Sequence, residues 1–372
     1  MQLFKKIKNM AQREQTQQIL AELKTLAKNN PKKFILDSFA LLGEGKSFED
    51  NQIIGNAKLN ELGLHRLRVQ WASYMAERRR AYLSHFVDQA DAQQFLHQGF
   101  ILKENYLPEH EFKALQKELL EQPLNAREML QGDTVTRRMA LDDVALKQRP
   151  VTQKLLNDQG WKSLLNYVAS FDLQPMYYVQ SIISHVRKAK PDPQTHLHSD
   201  TFHSSVKAWL FLTDVKEDEG PFVYAPGSHR VTEKRLQWEY EKSCEISKAN
   251  DILTRRGSFR VTSQELETLG YNKPKAFAVK KNTLVIADTY GFHARGQSVR
   301  PSTRIELWAY ARRNPFLPWV GMDIFKLPIL NQKLVPIYWQ GLDILEKRYQ
   351  RHNPWKNVGQ RYANESAVIR SK

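Results

Sequence analysis

After about residue 176 the chain breaks into a succession of short apolar runs, and this limits its fold more than any other feature. The runs are MYYVQSIISHV, SVKAWLFLTDV, PFVYAP, KAFAVKK, NTLVIAD and RIELWAYAR, separated by Pro, Gly, Asp and Asn. Short runs rich in β-branched and aromatic residues, bounded by turn formers, read as strands. Many of them in series predict a sandwich or barrel. In RIELWAYAR the two faces are explicit. Arg304, Glu306, Trp308 and Tyr310 fall on one side, and Ile305, Leu307 and Ala309 on the other.

The first third reads differently. In residues 12–29, Ile19, Leu20, Leu23, Leu26 and Ala27 recur at helical spacing, and Asn30-Pro31 ends the run. The helical pattern returns from 56 to 96 and carries the basic run Arg78-Arg79-Arg80. From Gly99 the text predicts a short strand, Phe100–Leu102, then a turn and a helix from Glu109 to Leu120. The tail after Arg313 mixes prolines, aromatics and basic residues. It predicts one or two short helices capping the β-core, with an aromatic-basic membrane or acyl-chain face as the alternative. Three segments follow: a helical extension (1–98), a β-rich domain (99–313) and an aromatic/basic extension (314–372).

Lysine and arginine total 56 against 40 acidic residues, a net charge of +16. Such a surface attracts nucleic acid, anionic lipid or phosphorylated substrates. No nucleic-acid module is recognisable, so nucleic acid ranks last of the three. Residues 1–11 set Leu3, Phe4, Ile7 and Met10 on one side of a basic segment, a pattern suited to a membrane interface. The single cysteine, Cys244, allows no internal disulfide and fits a reducing compartment. With no secretory h-region or bilayer-length apolar stretch, the expectation is a cytoplasmic chain, or one peripheral to the inner membrane face.

The chemistry concentrates in THLHSDTFH, residues 195–203. His198 and Asp200 are two apart, so an extended backbone points both to one face. His293 follows the strand NTLVIAD and can supply a third ligand. Two histidines and a carboxylate on one face of an octahedron suit Fe(II) and leave positions for a 2-oxo acid and O2. Arg304, eleven residues after His293, can clamp a distal carboxylate through its two-pronged guanidinium. An alternative reading takes His196, His198 and Asp200 as the start of a zinc hydrolase site.

The opening GFILKENYLPEHEF, the H-S-D triplet, KAWLFLTDVKEDEGPFVYAPGSHR, GFHARG and STR together resemble the phytanoyl-CoA dioxygenase family of Fe(II)/2-oxoglutarate oxygenases, over roughly residues 99–313. The resemblance implies an α+β fold: a double-stranded β-helix (jelly-roll, cupin-like) core with helices outside it. It implies His198, Asp200 and His293 as iron ligands, Arg304 as the 2-oxoglutarate clamp and Trp209 in the cosubstrate pocket. It implies Fe(II), 2-oxoglutarate and O2 as reactants, with ascorbate as a supporting reductant. Related halogenases carry Ala or Gly in place of Asp200, so this residue points to hydroxylation. Arg295 stands where relatives often carry a small residue, and is expected on cosubstrate or substrate. Asn282-Thr283 replaces their Gly-Asp. From the strand before the H-x-D segment, Gln180 is expected near the cosubstrate and Arg187 near the substrate. Arg137 and Arg138 are candidates for an anionic substrate. A lipid, acyl thioester or glycolipid at an anionic membrane surface is the favoured substrate, with a nucleic-acid-modifying oxygenase as a rival.

Overall fold

Each of the six runs forms a strand, and five further strands complete the β-structure. The computed structural model describes residues 2–327 and 329–369, with side chains from residue 14 onward. The proposed membrane face of residues 1–11 therefore lies outside the described side chains. In chain order the strands are β1 (Phe100–Lys103), β2 (Leu124–Gln131), β3 (Thr134–Ala140), β4 (Met176–Ile183), β5 (Val206–Phe211) and β6 (Phe222–Tyr224). They continue as β7 (Lys275–Phe277), β8 (Leu284–Asp288), β9 (His293–Arg295), β10 (Thr303–Ala311) and β11 (Lys356–Arg361). Eight of them form one sheet in the order β1-β8-β5-β10-β4-β3-β2-β11, and β7-β6-β9 form a second. All pairings are antiparallel. This is the α+β, jelly-roll architecture that the resemblance implies, and it is one of the sandwich or barrel folds that the short strands predict.

The large sheet has two unlike faces, and the alternation read in β10 sets them. Ile305, Leu307 and Ala309 join a core with Ala208, Leu210, Ile286 and Val179. Helices Glu109–Leu120 and Gln159–Ala169 cover this face through Phe112, Leu115, Trp161 and Leu165. The opposite face carries Trp209, Phe211, Trp308 and Tyr178 and meets Phe222, Tyr224 and Phe277 of the small sheet. The space between the two sheets is where polar side chains gather.

Two features differ from the sequence reading. The pair Asn30-Pro31 ends one helix (Gln2–Asn29) and also starts the next (Pro31–Leu41). Asn30 Oδ1 accepts from the Lys33 amide, and proline at the first helical position gives up a donor the helix cannot use. Next, β2 and β3 fall in a stretch that does not look strand-like. Their alternation is hidden because buried charges, Arg127, Glu128 and Arg137, occupy positions where apolar residues are expected. The tail does cap the core. It supplies a helix (Leu334–Tyr349), whose Val335 and Trp339 pack on the inner aromatic cluster, and a strand, β11, that extends the main sheet past β2.

Asn282 explains the altered turn before β8. It sits in the left-handed region at φ +64°, which asparagine tolerates. Its side chain accepts from the Leu107 amide at 3.0 Å and donates to the Leu107 carbonyl at 2.7 Å, tying the turn to the segment after β1.

Arg137 is the main correction among the candidate residues. It is fully buried on the helix side of β3, opposite Glu128, with Nη2 to Oε1 at 2.6 Å. Nη1 also donates to the Tyr362 and Glu365 carbonyls, and Nη2 to that of Ser366. It latches the C-terminal segment and does not face substrate. Removing one partner of a buried pair leaves the other charged and unpaired, so Arg137→Met is expected to cost about 3–5 kcal/mol. Denaturant unfolding, with proteolytic sensitivity of the tail beside it, would measure this.

Candidate metal centre and its two cavities

His198 and His293 are brought together by backbone. The His198 amide donates to the His293 carbonyl and the His293 amide to the His198 carbonyl, both at 2.9 Å. This reciprocal bridge sets the imidazole centroids 4.5 Å apart. Two residues on, the Asp200 amide donates to the Thr289 carbonyl at 2.9 Å, which turns the carboxylate toward the same point. His198 Nδ1 donates to the His196 carbonyl at 2.8 Å, and His293 Nδ1 to the Gly291 carbonyl at 2.9 Å. With both Nδ1 atoms engaged as donors, each Nε2 presents a lone pair. The two Nε2 atoms stand 3.7 and 3.6 Å from Asp200 Oδ1. One ligand atom from each of the three residues falls within 4.8 Å of the others. His293 Nε2 is buried without a hydrogen-bond partner, an orphan that a divalent cation would satisfy. The donor set, two neutral imidazoles and one carboxylate, fits iron.

The charges agree with ligation. Burial, with the neighbouring His293 ring, holds His198 well below the usual histidine range, so it is neutral. Burial opposes ionisation of Asp200, yet the Lys207 ammonium overcomes it and holds the carboxyl well below the usual range. Lys207 Nζ sits 2.5 Å from Asp200 Oδ2, leaving Oδ1 to the histidines. Lys46 approaches the same residue from the N-terminal region, with Nζ 2.5 Å from the Asp200 carbonyl oxygen. Burial pushes Lys46 down to about 8.

Two cavities open on this centre. The smaller, about 190 Å³, is lined by Arg295, Arg304, Gln180, Trp209 and Arg138. A polar relay crosses its floor along one cross-strand row. Arg138 Nε donates to Gln180 Oε1 at 3.2 Å, and Gln180 Nε2 donates to Glu306 Oε1 at 2.9 Å. Glu306 Oε2 in turn accepts from Arg304 Nε at 3.2 Å. Arg304 Nη1 also donates to the Gly220 carbonyl. The guanidinium still has N–H groups to spare on its two terminal nitrogens. Arg295 lies on the cavity wall, paired with buried Asp192 and donating to Thr136 Oγ1 at 3.2 Å. Trp209 packs on Phe222 at 4.2 Å between centroids and closes one side.

The larger cavity, about 690 Å³, shares Arg138, Asp200, Lys207 and Trp308 with the smaller one. Its remaining wall comes from four parts of the chain, one of them Leu173, Gln174 and Met176 around the start of β4. Glu44 and Lys46 precede the β-core, Tyr310, Arg312 and Arg313 lie at and just after the end of β10, and the tail adds Met322–Phe325 and Tyr338.

Two expectations about arginines need correction. Arg187 is half-buried in a loop where Nε donates to the Gly132 carbonyl at 2.8 Å, and it lines neither of these cavities. Of the pair Arg137-Arg138, it is Arg138 that faces the centre, because neighbours on a strand point to opposite sides. Lys207 and Lys46 escaped the sequence reading. Lys207 was recoverable: it stands two before Trp209 in KAWLF, so it shares that residue's inward face. Lys46 lies in a segment with no periodic signal.

The family model described as Phytanoyl-CoA dioxygenase matches residues 95–267. No curated protein matches the chain. Among solved structures, the epimerase SnoN in complex with Fe3+, alpha ketoglutarate and nogalamycin RO is 14% identical, with a TM-score of 0.38 over 62% of this chain and 83% of that one. HygX from Streptomyces hygroscopicus with nickel and 2-oxoglutarate bound is 15% identical, with a TM-score of 0.39 over 66% and 94%.

One neighbour of the centre gives a pH test. Burial, with Arg312 nearby, pushes His203 down to about 3. A histidine depressed in the folded state favours folding fully above its unfolded value. That contribution is lost as pH falls from about 6.5 toward the folded value, at ~1.4 kcal/mol per pH unit. In metal-free protein, His203→Gln is expected to flatten the fall of unfolding free energy across this window by about that slope. Urea titrations at several pH values would check it.

Proposed function

We propose that the chain, whose residues 95–267 match the Phytanoyl-CoA dioxygenase family model, hydroxylates an anionic substrate while 2-oxoglutarate is decarboxylated to succinate and CO2. It is an enzyme of the iron- and 2-oxoglutarate-dependent type. The observation that carries the reading is the pair of histidines with Nδ1 engaged and Nε2 turned toward Asp200. In this reading His198, Asp200 and His293 hold the iron. Bound iron with 2-oxoglutarate supplies the activation of O2, which the side chains cannot.

The protein's own contribution is position, charge and exclusion of water. Lys207 engages Asp200 Oδ2, so the carboxylate presents Oδ1 alone to the histidine pair. Arg304, steadied by Glu306 and the Gly220 carbonyl, offers its free N–H groups to the far carboxylate of 2-oxoglutarate. Arg295 and Gln180 add polar contacts to the same cavity, and Trp209 keeps its wall dry. The larger cavity opens on Asp200 and takes the substrate. Its cationic lining supports an anion, and a lipid, acyl thioester or glycolipid remains the favoured class.

The zinc-hydrolase alternative finds no support. His196 is exposed, and it is its backbone carbonyl that serves the site, as acceptor for His198 Nδ1. Among the described residues His196 is outside the ligand group.

Anaerobic titration of 2-oxoglutarate into Fe(II)-loaded protein tests the reading through the visible charge-transfer band of the chelate. Wild type should give a saturable band. Asp200→Ala should lose it, and Arg304→Ala should weaken 2-oxoglutarate binding about tenfold or more, as expected for a charge-assisted two-pronged contact. A folded, iron-occupied wild type without a band would end the proposal.

A further inference from the structure

The larger cavity carries an imbalance of charge. Lys46, Arg138 and Arg313 all line it, and among the described residues none of the three forms an ion pair with a carboxylate. Lys46 reaches only a carbonyl, Arg138 an amide oxygen, and Arg313 the carbonyls of Gly321 and Met322. Some buried cations elsewhere are matched by carboxylates, as in Arg137–Glu128 and Arg235–Glu239, while Arg79 and Arg149 are met by several backbone carbonyls each. The carboxylates facing the cavity are already engaged. Glu44 pairs with Arg312 at 2.9 Å, Asp200 belongs to the metal centre, and Asp323 accepts from the amides of Phe325 and Gln174. The three are half-buried, and Arg138 and Arg313 also lie over aromatic rings, but none has its charge neutralised, which an anionic ligand group would do.

The cavity's mouth has the opposite character. Met322 and Ile324 line the cavity and are also 80% and 60% exposed. The same segment continues outward with Leu327 and Ile329, exposed at 56% and 78%. Leu42, two residues before the lining residue Glu44, is 69% exposed and accepts at its carbonyl from Asn314 Nδ2 at 3.0 Å, next to Arg313. Large apolar side chains clustered around one opening mark a binding surface more often than an idle one. An apolar rim around a cationic interior matches the layering of an anionic membrane surface, with acyl chains beside a charged headgroup zone.

We propose that this rim rests in an anionic membrane surface and that the larger cavity draws in the anionic headgroup of a lipid or glycolipid for oxidation. The claim about oxidation rests on the iron- and 2-oxoglutarate-dependent reading above. The claim about the surface stands on the rim and the unpaired cations alone.

The test is sedimentation of the full chain with two kinds of vesicle, pure phosphatidylcholine and phosphatidylcholine mixed with an equal part of phosphatidylglycerol. Binding should favour the mixed vesicles. Leu327→Glu/Ile329→Glu should weaken it about tenfold or more, since each change removes a buried aliphatic contact. Both residues are exposed and outside the cavity lining, so circular dichroism should be unchanged, as should the 2-oxoglutarate band. Lys46→Gln/Arg313→Gln should reduce the preference for the anionic vesicles. No vesicle binding, equal binding to both kinds, or a rim variant that binds like wild type would overturn the proposal. Saturable binding of soluble glycerol phosphate without vesicle binding would overturn it too, assigning the cavity to a free small anion. The vesicle assay needs no iron and the band needs no vesicle, so either reading can fail alone.

Discussion

The reciprocal hydrogen bonds between His198 and His293 govern the rest of the site. They are backbone bonds, so the spacing of the two imidazoles does not depend on rotamer choice at long range. Each histidine is then fixed by a carbonyl two residues before it, His196 for one and Gly291 for the other. Asp200 follows by the same logic through the Thr289 carbonyl. Three ligands from two distant segments thus reach one point because those segments pair as short antiparallel bridges. The jelly roll contributes the rigidity: β8, which leads into His293, is completely buried between β1 and β5.

Charges buried between two sheets are stabilised by polar partners that match them. The row Arg138, Gln180, Glu306, Arg304 shows how. Gln180 lies directly across from Glu306 on β10 and from Arg138 on β3, so one amide links two charged groups that do not touch. It accepts from the cation and donates to the carboxylate, the only polarity that satisfies both. Replacing that amide with a carboxylate or an aliphatic chain would leave one neighbour unsatisfied. The relay also leaves Arg304 anchored at Nε while its terminal nitrogens face the cavity.

Much of this was legible in the sequence, for physical reasons. The strands after residue 176 alternate apolar and polar residues because one face meets helices and the other meets the site, so period two survives. The order of His198, Asp200, His293 and Arg304 named the group of residues that the fold brings to one cavity. What failed lay where long-range partners override local pattern. Strands β2 and β3 carry buried Arg127, Glu128 and Arg137, whose partners Asp343 and the 362–369 segment are more than two hundred residues away. No local rule finds them. Arg187 was misjudged because β4 ends at Ile183, and alternation does not extend into the loop beyond.

The division between core and extensions also has a physical sense. The candidate metal ligands and the residues lining the smaller cavity come largely from strands and their bridged ends, where backbone bonding fixes geometry. The larger cavity takes Lys46 from the first hundred residues and Met322, Phe325 and Tyr338 from the tail, parts without that ladder of bonds. Yet both are fastened to the core. Arg68 donates to the Gly45 carbonyl beside Lys46, and Trp339 of the tail packs near Tyr178. Arg138 and Lys207 stand on the wall the two cavities share. They join the His198, Asp200 and His293 cluster to a chamber whose far walls come from other parts of the chain.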